Sequence, residues 1–256
     1  RGQSLVVDRR ELIAALIRAQ GEVTISELHK QFPTVSEMTL RRDLEHLEKS
    51  GKIIRVYGGA KSLEAIIGLT EERYAQRSLE RVEQKNLIAS KAVSLLKPDT
   101  SVFIDSGTTT TAFARALPDL NLRIITSGLT CALELARLQD SEVEVIGGTF
   151  NKHSLSTAGC RAIEQLQNVN FDIGFLGATG LDVERGFTTG LSEDCELKRA
   201  AIKRCAQVVL LVDSSKLGKV HAYTFARLED VDYMVTDGEL PAEILTEIKR
   251  KGVDVL

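Results

Sequence analysis

Two helix-start signals near the beginning of the chain constrain it more than any other feature. Thr24-Ile25-Ser26-Glu27 has the form of a capping box, in which the threonine hydroxyl accepts the N3 amide and the glutamate reaches back to the cap amide. Ser36 is a second N-cap, whose hydroxyl can accept from the free amides of a first turn. Pro33 stands between them, so the pattern predicts a short helix to about Gln31, a turn through Phe32-Pro33-Thr34, and a second helix. In that second helix Val35, Leu40 and Leu44 face inward, leaving Glu37, Met38, Thr39, Arg41 and Arg42 outside. Such an outer face suits base edges and phosphates better than a core. Upstream, Arg9–Gln20 carries Leu12, Ile13, Leu16 and Ile17 on one face and stops at Gly21. Downstream, Lys52–Ala60 alternates partly and ends in two glycines, a short strand pair with a tight turn. Three helices and a basic β wing predict a winged helix-turn-helix.

The rest of the chain follows another grammar. Lys61 to about Gln76 has weak periodicity and mixed charge and reads as a linker; Ser78–Leu96 then reads as a helix. Beyond it, apolar runs at Ser101–Ile104, Leu122–Thr126, Glu142–Ile146, Ile173–Leu176, Gln207–Leu211 and Tyr233–Val235 alternate with helical patterns. Those helices are expected near Thr110–Leu117, Leu129–Leu138, Ala162–Gln167, Glu193–Cys205 and Pro241–Lys251. The alternation predicts an open, mostly parallel α/β sheet with helices on both faces. The boundaries are then a head at 1–61, a linker at 62–77 and a larger domain at 78–256.

In open α/β sheets ligands bind beyond the carboxyl ends of the strands. Small polar loops stand at five of those ends, and they supply the candidate effector-binding residues. These are Asp105, Ser106, Gly107, Thr108, Thr109 and Thr110 after the first strand, then Ser127, Gly128, Gly147, Gly148, Gly177 and Lys216 after later ones. Gly107 permits close backbone approach, and the hydroxyls and amides at a helix N-terminus favour phosphate. Lys216 can meet an anion. The convergence points to an anionic, hydroxyl-rich ligand such as a sugar phosphate. Asp105 reads either as part of this site or as a cap on the Gly107 turn. Glu196 and Lys198, inside a helix, read as solvated face, and Cys195 and Cys205 as ordinary thiols.

Composition narrows the class. With 43% hydrophobic and 27% charged residues the chain is an ordinary globular one, and no long apolar run crosses a membrane. No charged-apolar-small leader is visible, and scattered cysteines without a C-x-x-C read as reduced thiols of the cytosol, so a cytoplasmic location is expected. The four cysteines and four histidines are scattered, so neither a metal nor a cofactor is expected. Residues 1–61 hold 11 Lys+Arg and 8 Asp+Glu (+3); the remaining 22 basic and 28 acidic residues give −6. A basic head on an acidic body suits a DNA reader whose large domain does not itself sit on DNA.

The residues also carry a resemblance. Val35-Ser36-Glu37-Met38-Thr39-Leu40-Arg41-Arg42-Asp43-Leu44, then Leu47-Glu48, Gly51 and Arg55-Val56-Tyr57-Gly58-Gly59-Ala60, resembles the N-terminal signature of the DeoR family of bacterial transcriptional regulators. Asp105–Thr109, Gly147-Gly148, Gly186-Phe187-Thr188-Thr189 and Asp213-Ser214-Ser215-Lys216 are similar, in order, to that family's effector domain. The resemblance covers nearly the whole chain. It implies an effector domain related in fold to ribose-5-phosphate isomerase and glucosamine-6-phosphate deaminase. It also implies a repressor of a sugar-catabolic operon, relieved by a phosphorylated intermediate. One departure is visible: many members have Thr-Asn-Ser where this chain has Thr126-Ser127-Gly128, which puts the shape of the sugar pocket in doubt.

The expected DNA-binding residues are Thr24, Ser36, Glu37, Met38, Thr39, Arg41, Arg42, Lys52, Arg55 and Tyr57, with the wing on the backbone or minor groove. Tyr57 is open between packing on the helices and touching a phosphate. Arginine reads guanine or clamps phosphate, and the spacing does not choose between them. One head covers a small half-site, so a homodimer or homotetramer on double-stranded operator DNA is expected. The rival is an isomerase-like enzyme with an accessory head. Asp105, Asp182, Glu193 or Asp213, with Lys216, would move its protons. The isomerases compared carry a Gly-Ala-Asp-Glu loop and a Lys-Gly-x-Gly-Gly turn. This chain has Gly177-Ala178-Thr179-Gly180 at the first and lacks the second, and a threonine cannot be the base.

Overall fold

The computed structural model describes residues 2–49, 53–56, 58–62, 74–238 and 240–256, excepting the side chains of 2–8, 18, 19, 62 and 75. They divide into two compact units, residues 1–70 and 71–256. No helix among the described residues is long and apolar enough to cross a membrane.

In the first unit, helix α1 (Gly2–Gln20) leads into strand β1 (Glu22–Thr24), helix α2 (Ile25–Gln31) and helix α3 (Glu37–Lys49). Strands β2 (Ile53–Val56) and β3 (Gly59–Ser62) follow. Ile13 and Ile17 of α1, Leu28 of α2, and Leu40, Leu44 and Leu47 of α3 form its buried centre. The wing is more than a strand pair. β3 pairs antiparallel with both β2 and β1, giving the order β1-β3-β2. The three residues of β1 were not legible because so short a strand has no measurable period. Gly59 makes this pairing possible: a Cβ there would lie 2.2 Å from the Val23 carbonyl oxygen.

The second unit is built on seven parallel strands: β4 (Ser101–Ile104), β5 (Arg123–Thr126), β6 (Glu142–Val145), β9 (Phe171–Gly177), β12 (Cys205–Leu211), β14 (Tyr233–Val235) and β15 (Asp254–Val255). Their order is β15-β14-β12-β9-β4-β5-β6. The central strands β4, β9 and β12 read as largely apolar runs because both faces are covered. Val102, Ile104, Phe175, Val209 and Leu211 enter one core with the Val82–Val93, Thr108–Ala116 and Leu129–Leu135 helices. Their neighbours Phe103, Leu176, Leu210 and Met234 enter the other, with the Cys160–Leu166, Ser192–Ile202 and Ala242–Arg250 helices. Successive side chains alternate between faces, as strand geometry requires.

The second unit departs from the sequence expectation in further ways besides the added edge strand β15. The Ser78–Leu96 stretch is two helices, Tyr74–Leu79 and Val82–Val93, broken at Arg81, whose φ of 48° is left-handed. Later in the same unit a hairpin intervenes, β7 (Thr149–Asn151) with β8 (Ser156–Ala158). A small antiparallel sheet also forms from β10 (Gly180–Asp182), β11 (Gly186–Thr189) and β13 (Tyr223–Ala226). Most of the expected 62–77 linker lies outside the described residues.

Strand order fixes where a site can form. From β4 the sheet grows outward through β5 and β6; the chain then returns to β9 on the other side of β4 and grows away through β12, β14 and β15. The order therefore reverses between β4 and β9, and a crevice opens beyond their carboxyl ends.

Candidate nucleic-acid interface and candidate anion cleft

The first helix start is built as a complete capping box. Glu27 N–H donates to Thr24 Oγ1 at 3.2 Å, and Thr24 N–H donates to Glu27 Oε2 at 2.8 Å. The backbone and side-chain bonds from Thr24 hold the Glu27 carboxyl below its usual range. Thr24 is exposed, but its side chain is committed to the cap. At the second start Thr39 N–H donates to Ser36 Oγ at 3.3 Å, and the two hydroxyls share a bond of 2.9 Å.

From there α3 presents Glu37, Met38, Arg41 and Arg42 to solvent, Met38 at 62% exposure, with Thr39 half-buried. Arg41 and Arg42 make no ion pair or hydrogen bond among the described residues. The other arginines of this unit whose side chains are described are committed. Asp43, 1% exposed, lies on the inner face of α3 and accepts from Arg9 Nε at 2.7 Å and Arg10 Nε at 2.8 Å. This fork bolts α3 to α1 and fixes the angle at which Arg41 and Arg42 face outward. Arg55 of β2 is tied to Glu48 of α3, through its backbone amide at 3.2 Å and its Nε at 2.8 Å. Those two bonds hold the Glu48 carboxyl below its usual range. The groove between α3 and the wing is lined by Arg41, Glu48, Arg55 and Gly58, among others. Lys52 and Tyr57 lie outside the described residues.

The second site occupies the crevice between β4 and β9. It is a cleft of about 480 Å³, including its open mouth. The loop after β4 supplies Ser106, Gly107, Thr108, Thr109 and Thr110, and the loop after β9 supplies Gly177, Ala178 and Thr179. Gly107 caps the Thr108–Ala116 helix at φ 135°, a backbone that side chains rarely adopt. The first amides of that helix, which have no helical partner, open here. Lys216 reaches the cleft from a short turn after β12, where Asp213 accepts from Ser215 N–H at 3.0 Å.

Five candidates stand elsewhere. Asp105 is fully buried beneath the cleft rather than lining it. Its Oδ2 accepts from Gly177 N–H at 3.0 Å and from Lys198 Nζ, so it joins β4 to β9 instead of capping the Gly107 turn. Ser127 and Gly128 sit behind the loop after β4. A Cβ on Gly128 would lie 3.1 Å from Ser106 Cα, so this glycine lets the two loops pack together. Gly148 lies against β8, where a Cβ would meet Ala158 O at 2.5 Å, and Gly147 lies against Gln165, to whose Oε1 its N–H donates at 3.0 Å. Close packing accounts for these glycines without a ligand.

The cleft also takes residues not among the expected effector-binding ones: Arg77, Ser154, Ala178, Thr179, Asp194 and Lys198. Lys198 corrects the reading of its helix face as solvated. It is 4% exposed, donates to Asp105 and to Gly177 O at 3.2 Å, and stands 5.2 Å from the centre of the Phe225 ring. Asp194, one turn earlier, is 3.7 Å from Lys198 Nζ and accepts from Thr189 Oγ1 at 2.7 Å. A signal existed: Lys198 falls three residues from both Cys195 and Ala201, on the buried stripe of its helix. Glu196 is exposed, as expected of a solvated face.

The loops behind the cleft are fastened by Arg81, whose Nη2 donates to Ser214 Oγ and Asp237 Oδ2, each at 2.8 Å. Burial pushes the Asp237 carboxyl up, but the bonds from Arg81, Ser214 and Thr236 outweigh it and leave the group below its usual value. Burial pushes the Cys131 thiol up to about 11 and Cys205 to about 12, so neither supplies a thiolate near neutral pH. Among the described residues no cluster of histidine, cysteine or carboxylate side chains could hold a metal ion. The cleft can thus offer an anion helix-terminal amides, threonine hydroxyls and the cations Arg77, Lys198 and Lys216.

Comparison with known proteins agrees with this two-part organisation. Residues 9–65 match the DeoR-like helix-turn-helix domain and residues 80–238 the DeoR C-terminal sensor domain. The chain is 36% identical to the HTH-type transcriptional regulator GlpR of Haloferax volcanii, over 98% of each chain. It is 33% identical to the HTH-type transcriptional repressor GlcR of Bacillus subtilis, over 87% of this chain and 85% of that one. Among solved structures, ribose 5-phosphate isomerase A of Methanocaldococcus jannaschii is similar over 54% of this chain and 55% of its own, at 19% identity and a TM-score of 0.41. With both domains matched in order along one chain, and relatives above 30% identity over most of its length, the protein belongs to the DeoR family of helix-turn-helix transcriptional regulators.

Proposed function

We propose that this protein represses a sugar-catabolic operon by holding its operator, and that a phosphorylated sugar in the cleft releases it. The observation that carries the reading is the outward face of α3, where Arg41 and Arg42 stand exposed and uncommitted while neighbouring arginines are tied into the fold. Uncommitted guanidiniums on the second helix of a helix-turn-helix suit guanine edges and phosphates of the major groove. The wing, with Arg55, would rest on the DNA backbone. Since one head spans a small half-site, the working species is at least a homodimer, acting in the cytoplasm where the operator lies. The cleft gathers cations and helix-terminal amides suited to a phosphate, with hydroxyl and carboxylate partners suited to a polyol. Its role is binding without turnover. Asp105 is engaged by Lys198 beneath the cleft, and Thr179 offers no base.

Release requires the effector and the DNA to prefer different arrangements of the heads, with a typical coupling of about 1–3 kcal/mol, or roughly 5–150-fold. The test is selection of bound fragments from sheared genomic DNA, with wild type beside an Arg41→Ala/Arg42→Ala variant. Enrichment of a few sites by wild type alone is expected, and their adjacent genes would name the phosphorylated sugars to try for release. Enrichment that survives the double substitution would refute α3 as the reader.

A further inference from the structure

Among the described residues Arg77 is the one cleft-lining side chain that precedes β4 in the chain. It lies on the Tyr74–Leu79 helix, which follows the segment leading from the head. This helix is held unlike its neighbours. None of its described side chains is buried or belongs to either core of the unit, and Leu79 is 82% exposed.

Polar ties fasten it instead. Tyr74 N–H donates to His153 O at 2.9 Å. The buried Lys85 ammonium caps its other end, donating to the carbonyls of Arg77 and Glu80. Tyr74 and Ser78 border a cavity of about 310 Å³, open to solvent and also bordered by Thr108, Thr111 and Arg115. The helix stops at the left-handed Arg81, whose guanidinium pairs with Asp213 at 3.2 Å, at the start of the turn that carries Lys216.

A segment with few buried apolar contacts belongs to the low-stability end of a protein's local openings. A charge-assisted bond from a bound anion is strong enough to shift such an equilibrium. We propose that Arg77 contacts the anion in the cleft and that its helix docks more firmly when the cleft is filled, passing occupancy into the segment that leads to the head. This rests on the anion reading of the cleft given above. A ligand bonded to Arg77 prefers the docked helix, and by linkage whatever keeps the helix docked raises affinity for the ligand.

The test uses the full chain with inorganic phosphate as probe, in wild type, Arg77→Gln, Arg77→Lys and Lys216→Gln. Phosphate binding is followed by phosphorus NMR titration, and amide hydrogen exchange is read at residues 74–81. Arg77→Gln is expected to weaken phosphate binding roughly tenfold or more, with Arg77→Lys recovering part of the loss. Saturating phosphate is expected to slow exchange at residues 74–81 in wild type but not in Arg77→Gln. The proposal is overturned, with the anion cleft left standing, if Arg77→Gln binds phosphate like wild type while Lys216→Gln binds it weakly. It is equally overturned if phosphate leaves exchange at residues 74–81 unchanged in wild type. If wild type binds no phosphate even at high concentration, the anion reading falls and this proposal falls with it.

Discussion

The head and the sensor domain solve opposite problems with the same kinds of side chain. In the head, a buried carboxylate, Asp43, takes two guanidiniums out of circulation, leaving other guanidiniums of the same helix facing solvent. In the sensor, a buried carboxylate, Asp105, takes hold of an ammonium that also lines the site, and the pair lies under the cleft. The first arrangement sets an angle and stays away from the ligand surface. The second places structural charge directly against it. The contrast teaches that a DNA-facing helix needs only a rigid mount, whereas a small-ligand cleft must be assembled from the same groups that hold the sheet together.

The strongest way to break this comparison is Lys198→Ala. It leaves Asp105 buried beside a cavity without its cation, at an expected cost of about 3–5 kcal/mol to the sensor. Denaturant unfolding of the full chain should lower the sensor transition and leave the head transition in place. An unchanged sensor transition would mean that the pair is not structural. Next, Asp43→Ala should cost the head about 2–3 kcal/mol, toward the low side because Arg9 and Arg10 still reach water. Operator affinity should fall with it, and the sensor transition should not move.

Two substitutions at the functional surfaces sharpen the contrast. Arg41→Ala should cost about 1–3 kcal/mol of operator binding if it reads a base, with effector binding untouched. Lys216→Ala should do the reverse: normal operator affinity in a mobility-shift assay and a blunted release by effector. A wild-type response from Lys216→Ala would place the anion site elsewhere.

The smallest effect concerns pH. Asp237 has a lowered folded pKa, so its contribution is present above the ordinary aspartate value near 3.8 and is lost as pH falls through the folded value. The sensor transition of wild type should therefore weaken below about pH 4. Arg81→Gln, which removes a cause of the lowering, should show a shallower acid dependence; an identical acid limb would show that the Arg81 bridge contributes nothing.

Much of the head was legible from residues alone. The capping box at Thr24–Glu27 and the inward spacing of Leu40 and Leu44 are local signals, and helices of this kind obey local rules. β1 escaped because three residues carry no period, and its pairing depends on Gly59, far along the chain. In the sensor the central strands announced themselves as apolar runs, and Gly107 with its threonines marked the loop that lines the cleft. Gly148 gave the same kind of signal for a different reason, since a glycine demanded by a passing backbone looks like one demanded by a ligand.

The sequence by itself determined the two-part organisation, the helix starts, the exposed basic face of α3 and the parallel α/β class, because caps and periodicity act over a few residues. Only the tertiary structure decided which loops share a cleft, that Lys198 turns inward to Asp105, and that the helix breaks at Arg81. Those outcomes follow from strand order and from pairing buried charges across roughly a hundred residues of chain. The free energy of such pairing is set by burial and partner geometry, which no local stretch of residues encodes.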